Sequence, residues 1–439
     1  LTNYIHAESD SGEAYGIYAI NGSQIDIIAT GTDENGYGNT ITSNKIGVDI
    51  SSGTQLNITG ETYIAGDDSA MLINAATTKA DITGNLTSYS KNGNAAKLTN
   101  GALLDVSENA NFISDGTPNN DGSSNALVIE GNGTFNGKNY QAVVGENLTA
   151  ISKDNTAISL SNGASLHVGG NEIIYGENGL VIDSSQHNVT GDLIGRADNI
   201  AVNVMGENSN LTVGGNILVE GGNIGVTVEN NTITVNGGDG TGANVIKSNS
   251  GNALKAVEST VTLNSGANGA NSIVSGETFG AEGVYYTGTA INATSESNGA
   301  ENNRTGGSKI DVLGSENFIG GTVRANGVKS IVNIGGSVDD KGNLTSGGNN
   351  YITSAAHGRD GSSNEDVVSA VFAQNGANVN IKAGEGQRNY IIAQSENIEP
   401  DKTNESDKPK YNERAVWAQG GSQVNIEGET IISASKAEV

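Results

Sequence analysis

The sequence predicts an all-β chain: a right-handed, three-faced parallel β-helix of about fourteen rungs, carrying loop insertions. Three observations predict it. A twelve-residue phrase returns along the chain, always in the same direction and phase. Each copy holds two short runs of alternating apolar residues around a turn, and a third short apolar run separates each copy from the next.

The phrase is cleanest at Gly16-Ile-Tyr-Ala-Ile-Asn-Gly-Ser-Gln-Ile-Asp-Ile27, Ala370-Val-Phe-Ala-Gln-Asn-Gly-Ala-Asn-Val-Asn-Ile381 and Ala415-Val-Trp-Ala-Gln-Gly-Gly-Ser-Gln-Val-Asn-Ile426. Its first run predicts one strand, a turn that is often Asn-Gly follows, and its second run predicts another strand. A Gly, Asn or Glu step then leads into the third, as in Gly60-Glu-Thr-Tyr-Ile64, Gly170-Asn-Glu-Ile-Ile-Tyr175 and Gly215-Asn-Ile-Leu-Val219. Fourteen copies begin at Gly16, Gly47, Ala70, Ala95, Ala126, Ala157, Gly179, Ala201, Gly225, Ala253, Ala290, Thr322, Ala370 and Ala415. The shortest spacings, 22 to 25 residues, match three short strands and three turns. Stacked at ~4.8 Å, such rungs would make a rod roughly 65 Å long. Right-handedness follows from the near-universal hand of parallel crossovers.

Alternation assigns the faces. The second, fourth, tenth and twelfth phrase positions point inward, as Ile158, Leu160, Leu166 and Val168 do in one rung and Val371, Ala373, Val379 and Ile381 in another. The third and eleventh point outward. A single rung buries too little to offset the ordering of its residues, so stability belongs to the stack.

Composition agrees with a thin aliphatic core. The 439 residues include 63 Gly and 3 Pro but only 13 Tyr, 5 Phe and 1 Trp. Disorder is the alternative for a Gly/Asn/Ser-rich acidic chain, and the regular return of Val, Ile and Leu argues against it. A net charge of −27 opposes nucleic acid and anionic lipid as partners. The chain has no cysteine, and no stretch approaches the ~18 apolar residues of a membrane span, so no direct membrane insertion is expected. With no signal peptide at Leu1 and a stop in mid-pattern at Val439, it reads as a fragment of a longer polypeptide.

Function is expected on what departs from the repeat, or on the outward columns. Three insertions stand out, near 275–305, 335–366 and 394–413. They contain Gly283-Val-Tyr-Tyr-Thr287 with the polar Ser295–Arg304 run, His357-Gly-Arg-Asp-Gly361, and two of the three prolines. Such stretches read first as tolerated surface excursions, and as receptor contacts second. The eleventh position, with turns one residue longer or shorter, reads His167, Thr190, Thr212, Thr234, Thr262, Asp311, Asn333, Asn380 and Asn425. Thr and Asn simply suit exposed stacked strands, or the ladder zips against a second rod through many neutral hydrogen bonds. The third position carries Tyr18, Phe372 and Trp417; the last two fall in consecutive rungs, as an exposed hot spot or as a pair covered by a loop.

No catalytic constellation emerges. The four histidines, His6, His167, His187 and His357, are scattered without HExxH spacing. Asp10-Ser11-Gly12 only superficially suggests a serine nucleophile. Arg196, Arg304, Arg324, Arg359, Arg388 and Arg414 do not form the Asp/Lys/Arg groove of a β-helix lyase. Asp115, Asp121, Asp339 and Asp340 lack a calcium-loop context. No cofactor and no metal are expected, and an enzyme is not.

The phrase Gly-(Ala/Ser)-x-Val-Asn-Ile, its Asn-Gly turn, the Gly-rich third strand, the absence of cysteine and the acidic bulk resemble passenger domains of Gram-negative autotransporters (type V secretion). The nearest likeness is to AIDA-type adhesins and self-associating passengers, and it is one of pattern over essentially the whole chain. The resemblance implies a passenger displayed at, or secreted from, the outer membrane. It would attach to host or neighbouring cells through a receptor, matrix protein or glycan, and could pair with itself in aggregation and biofilm formation. Runner-up readings are a polysaccharide-degrading β-helix enzyme and a passive stalk carrying a separate head.

Overall fold

A computed structural model describes residues 1–116, 124–133, 140–237, 241–280, 283–295, 306–339, 343–356, 367–395 and 412–436. Its strands form three parallel sheets of 15, 14 and 14 strands, with two short antiparallel hairpins. Successive strands are dealt to the sheets in turn. Asn3–Ala7 opens the first sheet, Tyr15–Ala19 the second and Gln24–Ile28 the third, and each later turn of the chain adds one strand to each. This is the three-faced parallel β-helix that the repeat predicts. Twelve of the fourteen phrase starts fall within one residue of the beginning of a second-sheet strand, and Ala370 and Ala415 lie three residues inside the longer strands Val367–Gln374 and Asn412–Ala418.

The chain divides into two compact units, Leu1–Gly215 and Asn216–Val439. In each, the assigned inward positions form the core: Ile158, Leu160, Leu166 and Val168 in the first unit and Val371, Ala373 and Val379 in the second are fully buried. The first phrase position is buried as well, at Ala70, Ala126 and Ala157 and at Ala253, Ala290 and Ala370. There the chain bends from the first sheet into the second, and backbone crowds backbone. A Cβ on Gly47 would come within 2.7 Å of the Ala70 carbonyl oxygen and 2.8 Å of that of Ala65. Gly or Ala fills this corner in thirteen of the fourteen copies, and Thr322 in the other, where its hydroxyl donates to the Ser369 carbonyl. The next corner, from the second sheet to the third, needs the left-handed region instead. Asn21 and Gly22 take φ of 60° and 72°, Asn375 and Gly376 58° and 80°, which is why Asn-Gly recurs.

The third corner is held by buried asparagines. In Asn216–Val439 the side chains of Asn244, Asn271, Asn317, Asn350 and Asn389 stand on successive first-sheet strands. Each Nδ2 donates to the next Oδ1, at 2.9, 2.8, 2.9 and 2.8 Å. The remaining N–H bonds caps the end of a third-sheet strand, as from Asn271 to Leu313 O and from Asn350 to Lys382 O. In Leu1–Gly215 the same column begins with Asn3 donating to Asn39 and later reaches Glu172, which is fully buried. Glu172 is met by His187, an inward residue of the third sheet, at 2.7 Å.

Two insertions contain the hairpins. Glu277–Gly280 pairs with Gly283–Tyr286, and Ser337–Val338 with Leu344–Ser346. Inside the 275–305 stretch Thr289–Thr294 is a regular second-sheet strand. Inside 335–366 Asn349–Ala356 is a regular first-sheet strand, so the chain returns to the ladder within each excursion. His357-Gly-Arg-Asp-Gly361, most of the Ser295–Arg304 run and 396–411 lie outside the described residues.

Candidate functional site

The expected eleventh-position ladder is present in Asn216–Val439 as one register column of the third sheet: Thr234, Thr262, Asp311, Asn333, Asn380 and Asn425. Its chemistry is not that of an open row of donors. Asn425 donates to Asn380 at 2.8 Å, Asn380 to Asn333 at 2.8 Å, and Asn333 to Asp311 at 2.7 Å, where Lys309 closes the series against the Asp311 carboxylate. Along the stack each of these amides commits one N–H to its neighbour. Asn333, expected outward, is 0 % exposed because the strand Leu344–Ser346 lies against its strand; Asp311 is buried too. Thr234, Thr262 and Asn380 are half-buried, and Asn425 is exposed.

In Leu1–Gly215 the column holding His167 and Thr212 passes through Asn188, not Thr190. His187 explains the slip. Its inward position breaks the apolar alternation that the register was read from, because a buried imidazole is satisfied there by the Leu166 carbonyl and Glu172. Tyr18, 55 % exposed, stands beside Asp49 on the second sheet and tilts against Tyr15 at 4.9 Å. The Tyr15 hydroxyl donates to Glu13, which pushes its pKa up to about 12.

Phe372 and Trp417 are directly opposed on neighbouring second-sheet strands, their rings stacked at 4.5 Å and 26°. Two guanidiniums bracket them. Arg324, one strand before Phe372, sits 5.8 Å from its ring centroid, and Arg414 sits 4.2 Å from that of Trp417. All of Arg324, Phe372, Trp417 and Arg414 are half-buried. The sequence reading found the rings and missed the cations, since Arg414 lies three residues before Trp417 in the strand Asn412–Ala418 and strand alternation alone does not bring the two together.

A second aromatic column was missed altogether. On the first sheet, Phe318, Tyr351 and Tyr390 occupy one outward register line, with ring centroids 5.7 Å apart at each step. Tyr286 of the first hairpin packs edge-on to Phe318 at 5.5 Å. The signal was in the sequence: Asn317-Phe-Ile319, Asn350-Tyr-Ile352 and Asn389-Tyr-Ile391 repeat one tripeptide, whose Asn feeds the buried ladder, whose Ile feeds the core and whose ring faces out. An open groove of about 430 Å³ runs along these rings.

Among the described residues no group of three or more His, Cys, Asp or Glu is placed to hold a metal ion, and no helix is long and apolar enough to cross a membrane. Comparison with family models, curated proteins and solved structures finds no match to this chain.

Proposed function

We propose that this chain is the passenger of a cell-surface adhesin, a non-catalytic β-helix that attaches a Gram-negative cell to host or neighbouring cells. The observation that carries the reading is the stacked pair Phe372–Trp417 with its flanking arginines. Outward aromatic and Arg side chains, held in fixed rotamers by one another, are the residue types that dominate binding energy at interfaces. They close an outward second-sheet column that runs Thr227, Lys255, Asn292 and Arg324 before them in Asn216–Val439. The resemblance to autotransporter passengers supports display outside the cell, and the acidic charge favours neutral or basic receptor surfaces. Homotypic pairing belongs to the same reading. It falls to the threonine stretch of the third-sheet column, because the asparagines beyond it are engaged with one another.

Surface display on a non-adherent bacterial host tests the proposal. Cells carrying the chain should bind cultured cells or settle faster than vector controls, and the double variant Phe372→Ala/Trp417→Ala should lose most of that gain at unchanged surface level. Display that confers neither adhesion nor settling overturns it, as does release of new sugar ends from a glycan panel by the purified chain.

A further inference from the structure

We infer that the first-sheet face of Asn216–Val439 is a binding site for a neutral glycan, with Phe318, Tyr351 and Tyr390 as its apolar rail. This deepens the adhesin reading by naming a ligand class for a surface away from Phe372 and Trp417.

Two parallel rails make the site. The aromatic rail advances one ring per rung. Phe318 and Tyr351 lie 13° from parallel with centroids 5.7 Å apart, too wide for a closed face-to-face sandwich. The rings are therefore offset, and part of each face stays open. Tyr351 is 40 % exposed, while Phe318 and Tyr390 are half-buried and held in place by their neighbours. Two residues back on each strand runs a polar rail: Glu316, Asn349, Arg388 and Glu429. Its members fix one another. Asn349 donates to Glu316 at 2.7 Å, the Arg388 backbone N–H donates to Asn349 Oδ1 at 2.9 Å, and Arg388 pairs with Glu429 at 2.8 Å. Tyr286, packed over Gly320 and against Phe318, walls one end.

Carbohydrate is the chemistry that matches both rails. A pyranose offers an apolar C–H face and a rim of hydroxyls that both donate and accept, and successive units of an extended glycan advance by about one rung. The rim would meet carboxylate, amide and guanidinium groups already oriented by each other, and the C–H faces the offset rings. An added β-strand is not an alternative, because the backbone of this face is consumed within the sheet. Charge decides between glycans. The rail carries two carboxylates against one guanidinium on a chain of net charge −27, which disfavours sulfated or uronic-acid chains.

The test uses the soluble 439-residue chain against neutral oligosaccharides of one to eight units (cello-, chito- and manno-series), with heparin fragments and a proline-rich peptide as comparators. Affinity should rise with length up to about three or four units. Tyr351→Ala should weaken binding about tenfold, the loss typical of one aromatic anchor, with an unchanged unfolding midpoint. Tyr351→Phe should retain most of it, and Asn349→Ala should weaken it without abolishing it. The inference is overturned if no neutral series binds, if heparin or the peptide binds instead, or if Tyr351→Ala binds like wild type. Its failure would leave adhesion by displayed cells intact, whereas sugar binding without cell adhesion would overturn the adhesin reading alone.

Discussion

Asn317→Ala should be among the most damaging single changes to a polar residue in Asn216–Val439. Asn317 is 2 % exposed; its Oδ1 accepts from Asn271 Nδ2 at 2.8 Å, and its Nδ2 reaches Asn350 Oδ1 at 2.9 Å and the carbonyls of Gly314 and Gly335 at 3.2 Å. Truncation leaves one N–H of Asn271 and the Oδ1 of Asn350 buried without that partner. At ~1–3 kcal/mol for each unsatisfied buried group, the expected cost is about 2–6 kcal/mol. Asn425→Ala removes one exposed bond of a chemically identical ladder and should cost about 0–1 kcal/mol. Because a stack of rungs need not unfold in one step, hydrogen exchange reads the effect best. Amides of the strands Ala270–Ser275, Glu316–Gly320 and Asn349–Ala356 should lose protection in Asn317→Ala, and the loss should be less than additive with Asn271→Ala. Equal costs for Asn317→Ala and Asn425→Ala would refute the reasoning.

Two further outcomes are expected. His187 faces two acceptors, the Leu166 carbonyl at 3.1 Å and Glu172 at 2.7 Å, which calls for N–H on both ring nitrogens. Burial pulls its pKa down, but the Glu172 charge and these bonds outweigh it, and the net shift is upward from 6.5. The folded chain thus keeps this proton to higher pH than the unfolded chain, so the contribution is full below pH 6.5 and fades as pH rises through the folded value. The denaturant midpoint should fall over that range, and His187→Leu should flatten the dependence; an equal slope in both proteins would count against it. At the corner between first and second sheets, Gly47→Ala should cost ~1–3 kcal/mol by overpacking against two backbone carbonyls. Gly31→Ala, whose Cβ would stand 3.5 Å from its nearest neighbour, should be close to neutral in the same melt, and equal losses would contradict the corner geometry.

The repeat was legible because its inward positions carry a hydrophobic signal that recurs in every rung. Each phrase start meets a second-sheet strand, from Gly16 to Ala415. What alternation could not show was any inward residue that is not apolar. Glu172 and His187 pair with each other across the core at 2.7 Å, a polar contact that the apolar alternation does not encode, and the column beside them was read two residues late, at Thr190 in place of Asn188. Asn333 was taken as outward for the opposite reason. Its strand does alternate, and the covering comes from Leu344–Ser346, a segment that departs from the repeat and whose docking no local pattern encodes. The Asn-aromatic-Ile tripeptides were visible in the chain. Their meaning was not, until the first-sheet register set Phe318, Tyr351 and Tyr390 on one line.

The two ladders also bear on where recognition can reside. An amide has two N–H donors and one strongly accepting oxygen. In the buried ladder these are used by the neighbouring asparagine and a strand-end carbonyl, and in the outer ladder the axial bonds already take one donor and the oxygen of Asn380. A partner approaching the third-sheet face must therefore compete with bonds that the stack already makes, and the net gain from each exchange is small. The aromatic columns face no such competition. Offset rings keep uncovered area after stacking on each other, and the contact they offer grows with every rung that carries one. Affinity built this way depends on the number of rungs engaged at once, so a rigid repeat can bind firmly through sites that are individually weak.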